Sequence, residues 1–89
     1  MSIPIVSKIR QNKKVLPCGL TVGTKLKSRG GYFCEICTWE QYIQYWDMYI
    51  DEVEYMFKDY FPIIDDTGEC DYSGIIDLEG DDPWYEVIQ

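Results

Sequence analysis

Residues 38–62 read TWEQYIQYWDMYIDEVEYMFKDYFP, and how this stretch folds decides the architecture. Thr38 followed three residues later by Gln41 has the form of a capping box. Apolar side chains then recur at Trp39, Tyr42, Ile43, Trp46, Tyr49, Ile50, Val53, Met56, Phe57 and Tyr60. Spacings of three and four residues place them on one face of a helix. Pro62 supplies the stop signal. The pattern therefore predicts a helix over residues 39–60, roughly 33 Å long at 1.5 Å per residue.

Upstream, Leu20 to Lys27 alternates, with Leu20, Val22 and Leu26 on one side and Thr21, Lys25 and Lys27 on the other. Such alternation predicts a half-buried strand. Ser28-Arg29-Gly30-Gly31 is a turn, and Tyr32 to Cys37 returns as the second strand of a hairpin. Ile3 to Ile9 reads as an edge strand because Pro4 has no amide hydrogen to donate. Downstream, Asp65-Asp66-Thr67-Gly68 is a loop, Ile75 to Leu78 a short strand, and Trp84 to Ile88 a last strand after the Gly80–Pro83 turn. The expected fold is one α+β domain over residues 1–89. A small antiparallel sheet, an N-terminal hairpin or meander joined by a C-terminal strand, packs on one long amphipathic helix.

Charge is segregated along the chain. Residues 1–34 hold seven bases and no acid; residues 35–89 hold all sixteen acids and a single base, Lys58, a charge of −15. Asymmetry of this size points to an interaction surface. Pairing all eight bases would still leave eight carboxylates without a partner. Glu40, Asp47, Asp51 and Glu54 fall on the side of the expected helix away from its apolar face, and Asp65 and Asp66 follow in the loop. A duplex as long as that helix carries roughly 19 phosphate charges at one per 1.7 Å. The acids approach this density only if the tail lies beside the helix. Tyr45, Met48 and Tyr55 sit off the centre of the apolar stripe; beside carboxylates, tyrosines serve as interface anchors.

Several chemistries are expected to be absent. The chain has no histidine, the commonest general base and metal ligand. It shows no phosphate loop and no nucleophile–base pair, so we expect neither an enzyme nor a cofactor. The opening residues carry no basic leader with a long apolar run, and the longest uncharged stretch, Val15–Thr24, is ten residues, against roughly 20 for a membrane helix. These features predict a protein of the cytoplasm, the host's if it is viral, with its four cysteines reduced and no membrane partner.

Cys34-Glu35-Ile36-Cys37 is a C-x-x-C, with Cys18 and Cys70 elsewhere. Zinc would need all four thiolates to converge, whereas odd spacing in a strand sends Cys34 and Cys37 to opposite faces. Buried free thiols, and no metal, are the expectation. Glu69 to Gly80 partly resembles an EF-hand calcium loop, with Gly74 at the sharp turn and Glu69, Asp71, Ser73 and Asp77 in ligand positions. It departs from that pattern in having Glu first, Gly80 where the closing Glu belongs, and Pro83 where an exit helix would run.

Lys8, Arg10, Lys13, Lys14, Lys25, Lys27 and Arg29, with Tyr32 and Phe33 to stack, could contact nucleic acid, but the −15 portion would repel it. The reading is therefore a small acidic protein that inhibits or sequesters a protein with a basic nucleic-acid-binding groove. It would do so by presenting a DNA-like carboxylate surface, as phage and mobile-element anti-defence inhibitors do. Its partner-binding residues would be Glu40, Asp47, Asp51, Glu54, Asp65, Asp66, Tyr45 and Tyr55. The alternatives are a homodimeric assembly protein joined through the aromatic helix and a zinc- or calcium-stabilised module.

Overall fold

The computed structural model describes residues 14–88, so the strand expected over Ile3 to Ile9 lies outside the described residues. The described residues fold into a five-stranded antiparallel sheet. Its strands are β1 (Lys25–Ser28), β2 (Phe33–Ile36), β3 (Tyr60–Asp65), β4 (Cys70–Gly74) and β5 (Tyr85–Val87), in the order β4-β3-β2-β1-β5. Helix α1 (Trp39–Trp46) packs on β3 and β4, and a single helical turn, α2 (Ile76–Glu79), lies between β4 and β5.

The fold is mostly sheet, and the expected long helix does not form. The capping box is real: Gln41 N–H donates to Thr38 Oγ1 at 3.0 Å, and Gln41 Oε1 accepts from Thr38 N–H at 2.9 Å. Yet α1 ends after eight residues, with Asp47 in the left-handed region at φ 56°. Two 3₁₀ turns, Ile50–Glu52 and Glu54–Met56, follow. The pattern misled because Ile50, Val53 and Met56 recur every three residues, which is also the 3₁₀ repeat. Asp47 and Asp51 four apart, then Glu54, repel one another along an α-helix, and Asp, Tyr and Val are poor helix formers. Glu52 favours the tighter turn, its carboxylate accepting from Tyr49 N–H at 2.7 Å.

Pro62 is no helix stop; it sits inside β3, opposite Tyr72 of β4. Its carbonyl accepts from Cys37 N–H at 3.0 Å, on the β2 side. A strand residue's N and O point the same way, so the missing amide hydrogen faces β2 where that strand has just ended. The β3–β4 ladder is left whole.

In the N-terminal hairpin, Lys25 pairs with Glu35 and Lys27 with Phe33, and Gly31 takes the positive φ of 86° that the turn needs. The first strand starts at Lys25 rather than Leu20, since residues 17–23 turn back to form a bridge between Val15 and Thr21. One further expectation, a strand at Ile75 to Leu78, is overturned. Residues 70–74 form β4 and residues 76–79 are helical, not strand.

Register places Leu26, Ile36 and Phe61 on one face, all fully buried. The core continues through Leu16, Trp39, Val53 and Met56. At about 25 cal/mol per Å² of apolar surface, such side chains each stabilise the fold by roughly 1.5–3 kcal/mol. The other face carries Cys70 and Tyr72, against which α1 lies: the Tyr42 and Tyr72 rings meet edge-on at 6.2 Å. Glu69 C=O is taken by Asp65 N–H, so the next carbonyl, of Cys70, points off the sheet edge. Trp46 Nε1 donates to it at 3.1 Å. An indole thus closes part of an edge that would otherwise offer a free acceptor.

Candidate partner-binding groove

Along each strand the face that carries Leu26, Ile36 and Phe61 opens as it runs toward the β3–β4 hairpin. Ile36 is followed on that face by Cys34, and Phe61 by Ile63 and then Asp65; Asp71 stands opposite Ile63. The result is an open groove of about 560 Å³. Cys34 and Ile63 lie in its floor, and Tyr32, Trp84 and Tyr85 form an aromatic wall. Asp65, Asp66, Glu69 and Asp71 supply its carboxylates, Ser28, Gly31, Phe33 and Thr67 fill in the rest, and the lining contains no lysine or arginine among the described residues. Because β5 pairs with β1, the chain's last aromatics stand beside acids some fifteen residues earlier; Ser28 pairs directly with Tyr85.

Asp65 organises the acidic side. Its Oδ1 accepts from Thr67 N–H at 2.9 Å, Thr67 Oγ1–H at 2.6 Å and Glu69 N–H at 3.0 Å. The Thr67 hydroxyl and then the Glu69 amide hold this carboxyl below the usual carboxylate range, so it stays ionised while it shapes the turn. Its neighbours Asp66 and Glu69 are exposed. On the wall, Ser73 Oγ–H donates to the Tyr85 hydroxyl at 3.2 Å, while burial pushes that phenol up. In the floor, burial first and the Asp65 and Glu35 charges second push the Cys34 thiol up to about 11. At neutral pH it is therefore an un-ionised thiol in the groove's floor.

The β3–β4 hairpin has a second aromatic flank. Tyr45 and Trp46 pack edge-on at 5.0 Å, Tyr42 links Trp46 to Tyr72, and Tyr60 lies 5.6 Å from Tyr72. Loss of surrounding water, then the Glu69 charge, raises the Tyr45 phenol, which marks Tyr45 as a neighbour of the hairpin.

Of the residues expected to bind a partner, the structure brings Asp65, Asp66 and Tyr45 to this hairpin. It does not bring the others into one stripe. Glu40 lies in the first turn of α1, Asp47 ends that helix, Asp51 and Glu54 belong to separate 3₁₀ turns, and Tyr55 projects with 79% of its surface exposed. Trp84 and Tyr85 are not among the expected site residues, and Tyr32 is expected only as a stacking ring for nucleic acid. No local pattern marks them, since they reach the groove only through strand pairing distant in sequence.

The ion pairs among the described residues are Lys25–Glu35 at 2.9 Å and Arg29–Asp82. Cys34 faces the groove, whereas Cys37 meets Cys70 on the opposite side; burial and the Cys70 thiol push Cys37 up to about 12. Among the described residues no cluster of three or more His, Cys, Asp or Glu side chains could hold a metal ion. The Glu69 to Gly80 stretch is strand β4 followed by the helical turn α2, not a calcium loop. Strand β4 sends Cys70 and Tyr72 to one face and Asp71 and Ser73 to the other. Nor is any described helix long and apolar enough to cross a membrane.

No protein family, no curated protein and no solved structure matches this chain.

Proposed function

We propose that this is a small acidic binding protein that occupies a basic nucleic-acid-binding groove on another protein and so inhibits or sequesters it, in the manner of phage or mobile-element anti-defence proteins. One observation carries the reading: a concave site lined by four carboxylates and four aromatic residues, with no lysine or arginine in its described lining. The carboxylates stand where phosphates would sit, and the rings supply area that can be desolvated. Complementary charge steers such association and sets its specificity.

The test is capture from a lysate of the source organism on immobilised protein, followed by a challenge with duplex DNA. DNA should release the captured protein, and its retention should fall steeply as salt rises from 50 to 200 mM, roughly the range over which the screening length shrinks toward 8 Å. A ternary complex with DNA, or retention indifferent to salt, refutes groove occupancy. The exposed ladder of Tyr45, Trp46, Tyr72 and Tyr60 favours one second reading, a homodimer. Sizing chromatography at two concentrations separates it from a monomeric inhibitor.

A further inference from the structure

We infer that the sheet-face groove takes an arginine side chain of the partner, an assignment that rests on the reading above and names its ligand. The wall supplies flat rings. Tyr32 is 77% exposed and open to a planar cation; Trp84 is 45% exposed and already carries the Arg29 guanidinium beside its ring. A guanidinium stacks on such rings and forks its N–H groups toward carboxylates, whereas a lysine ammonium is a compact, strongly hydrated charge that does neither as well. Asp66, Glu69 and Asp71 offer acceptors around the mouth, and Cys34 and Ile63 offer apolar floor for the three-carbon stem.

The molecule already shows this recognition at the groove's lip. The Arg29 guanidinium carbon stands 6.0 Å from the centroid of the Trp84 ring and the same guanidinium pairs with Asp82. Arg29 N–H also donates to Trp84 C=O at 2.9 Å, which anchors the ring's backbone. Trp84 thus serves as a guanidinium platform while it lines a groove whose carboxylates have no described cation among them. The negative lining disfavours phosphate-bearing ligands, so a nucleic acid is not the occupant.

The experiment titrates the full chain, followed by NMR, with a short glycine-spaced peptide bearing two arginines, with its lysine counterpart, and with spermidine. The arginine peptide should bind roughly tenfold more tightly than the lysine peptide, the difference expected of guanidinium stacking. It should shift the Trp84 indole and the Cys34 and Ile63 signals. Trp84→Leu should erase the preference. Should that variant misfold, Glu69→Gln with Asp71→Asn must erase it, because both exposed side chains keep their hydrogen-bonding shape. Equal affinity for the three probes, shifts confined to residues 47–59, or no binding overturns the inference. Partner capture reversed by DNA would still support the broader function in that event; failure of capture with the arginine preference intact would sink the broader function alone.

Discussion

Two regions of this chain are rich in acids, and they use them in opposite ways. Between Asp47 and Asp59, carboxylates are spread over a helix end, two 3₁₀ turns and the turn that leads into β3. Between Asp65 and Asp71, fewer acids are drawn together by an antiparallel register and backed by aromatics from β5 and the β1–β2 turn. A count of charges distinguishes the two poorly. What separates them is whether the backbone converges its side chains on one concave surface, and that is a property of strand pairing.

The comparison can be broken hardest from below. Phe61→Ala removes a fully buried ring beneath the groove end of the sheet and should cost about 3–5 kcal/mol, enough to collapse the groove while α1 keeps its own cap. Thermal unfolding followed by circular dichroism measures the loss; an unchanged midpoint would mean that Phe61 is not the centre of the core.

Next in size comes charge reversal. Asp66, Glu69 and Asp71 changed to Lys should abolish retention of the captured partner. Asp47, Asp51 and Glu54 changed to Lys should weaken it by about tenfold or less, as rim charges do. Equal losses would put the two regions on the same footing.

A smaller effect is expected at the cap. Thr38→Ala should cost about 1 kcal/mol and raise amide exchange in α1, with the groove signals unmoved. Spread of the change into residues 60–74 would show that helix and hairpin are coupled.

Smallest of all is the acid response of the turn. The Asp65 carboxyl is held below its unfolded value of about 3.9, so its contribution is complete above that pH and is lost as pH falls through the lower folded value. The Thr67 and Glu69 amide shifts should therefore move only below about pH 4, and Asp65→Asn should remove that step. The thiols give an independent check. With Cys34 pushed up to about 11 and Cys37 to about 12, both should alkylate slowly at pH 8, Cys37 the slower of the two. Mass spectrometry reads the order, and early labelling of Cys37 would contradict the packing between β3 and α1.

Much that is local was legible in the sequence. The Thr38–Gln41 capping box, the turn at Ser28 to Gly31 and the outward lysines of β1 each follow from a few neighbouring residues. The long helix did not follow, because a three-residue apolar repeat fits α and 3₁₀ geometry alike and only packing decides between them. Pro62 read as a terminator because its place beside the end of β2 depends on pairing with a distant strand. Strand β4 was hidden for a related reason: Asp71, Ser73 and Gly74 look like loop residues until β3 lies alongside. The groove was half visible, through Asp65 and Asp66, while its wall of Tyr32, Trp84 and Tyr85 is assembled only by the β1–β5 pairing.

The most direct test needs no partner. Backbone amide relaxation by a cationic and an anionic nitroxide of equal size reports the electrostatic potential at each residue's surface. The account predicts the strongest excess of the cationic probe at Asp66, Glu69 and Asp71 and at the facing Tyr32 and Trp84, clearly above that along residues 47–59. A profile that is level across both regions, or deepest over residues 47–59, would contradict it.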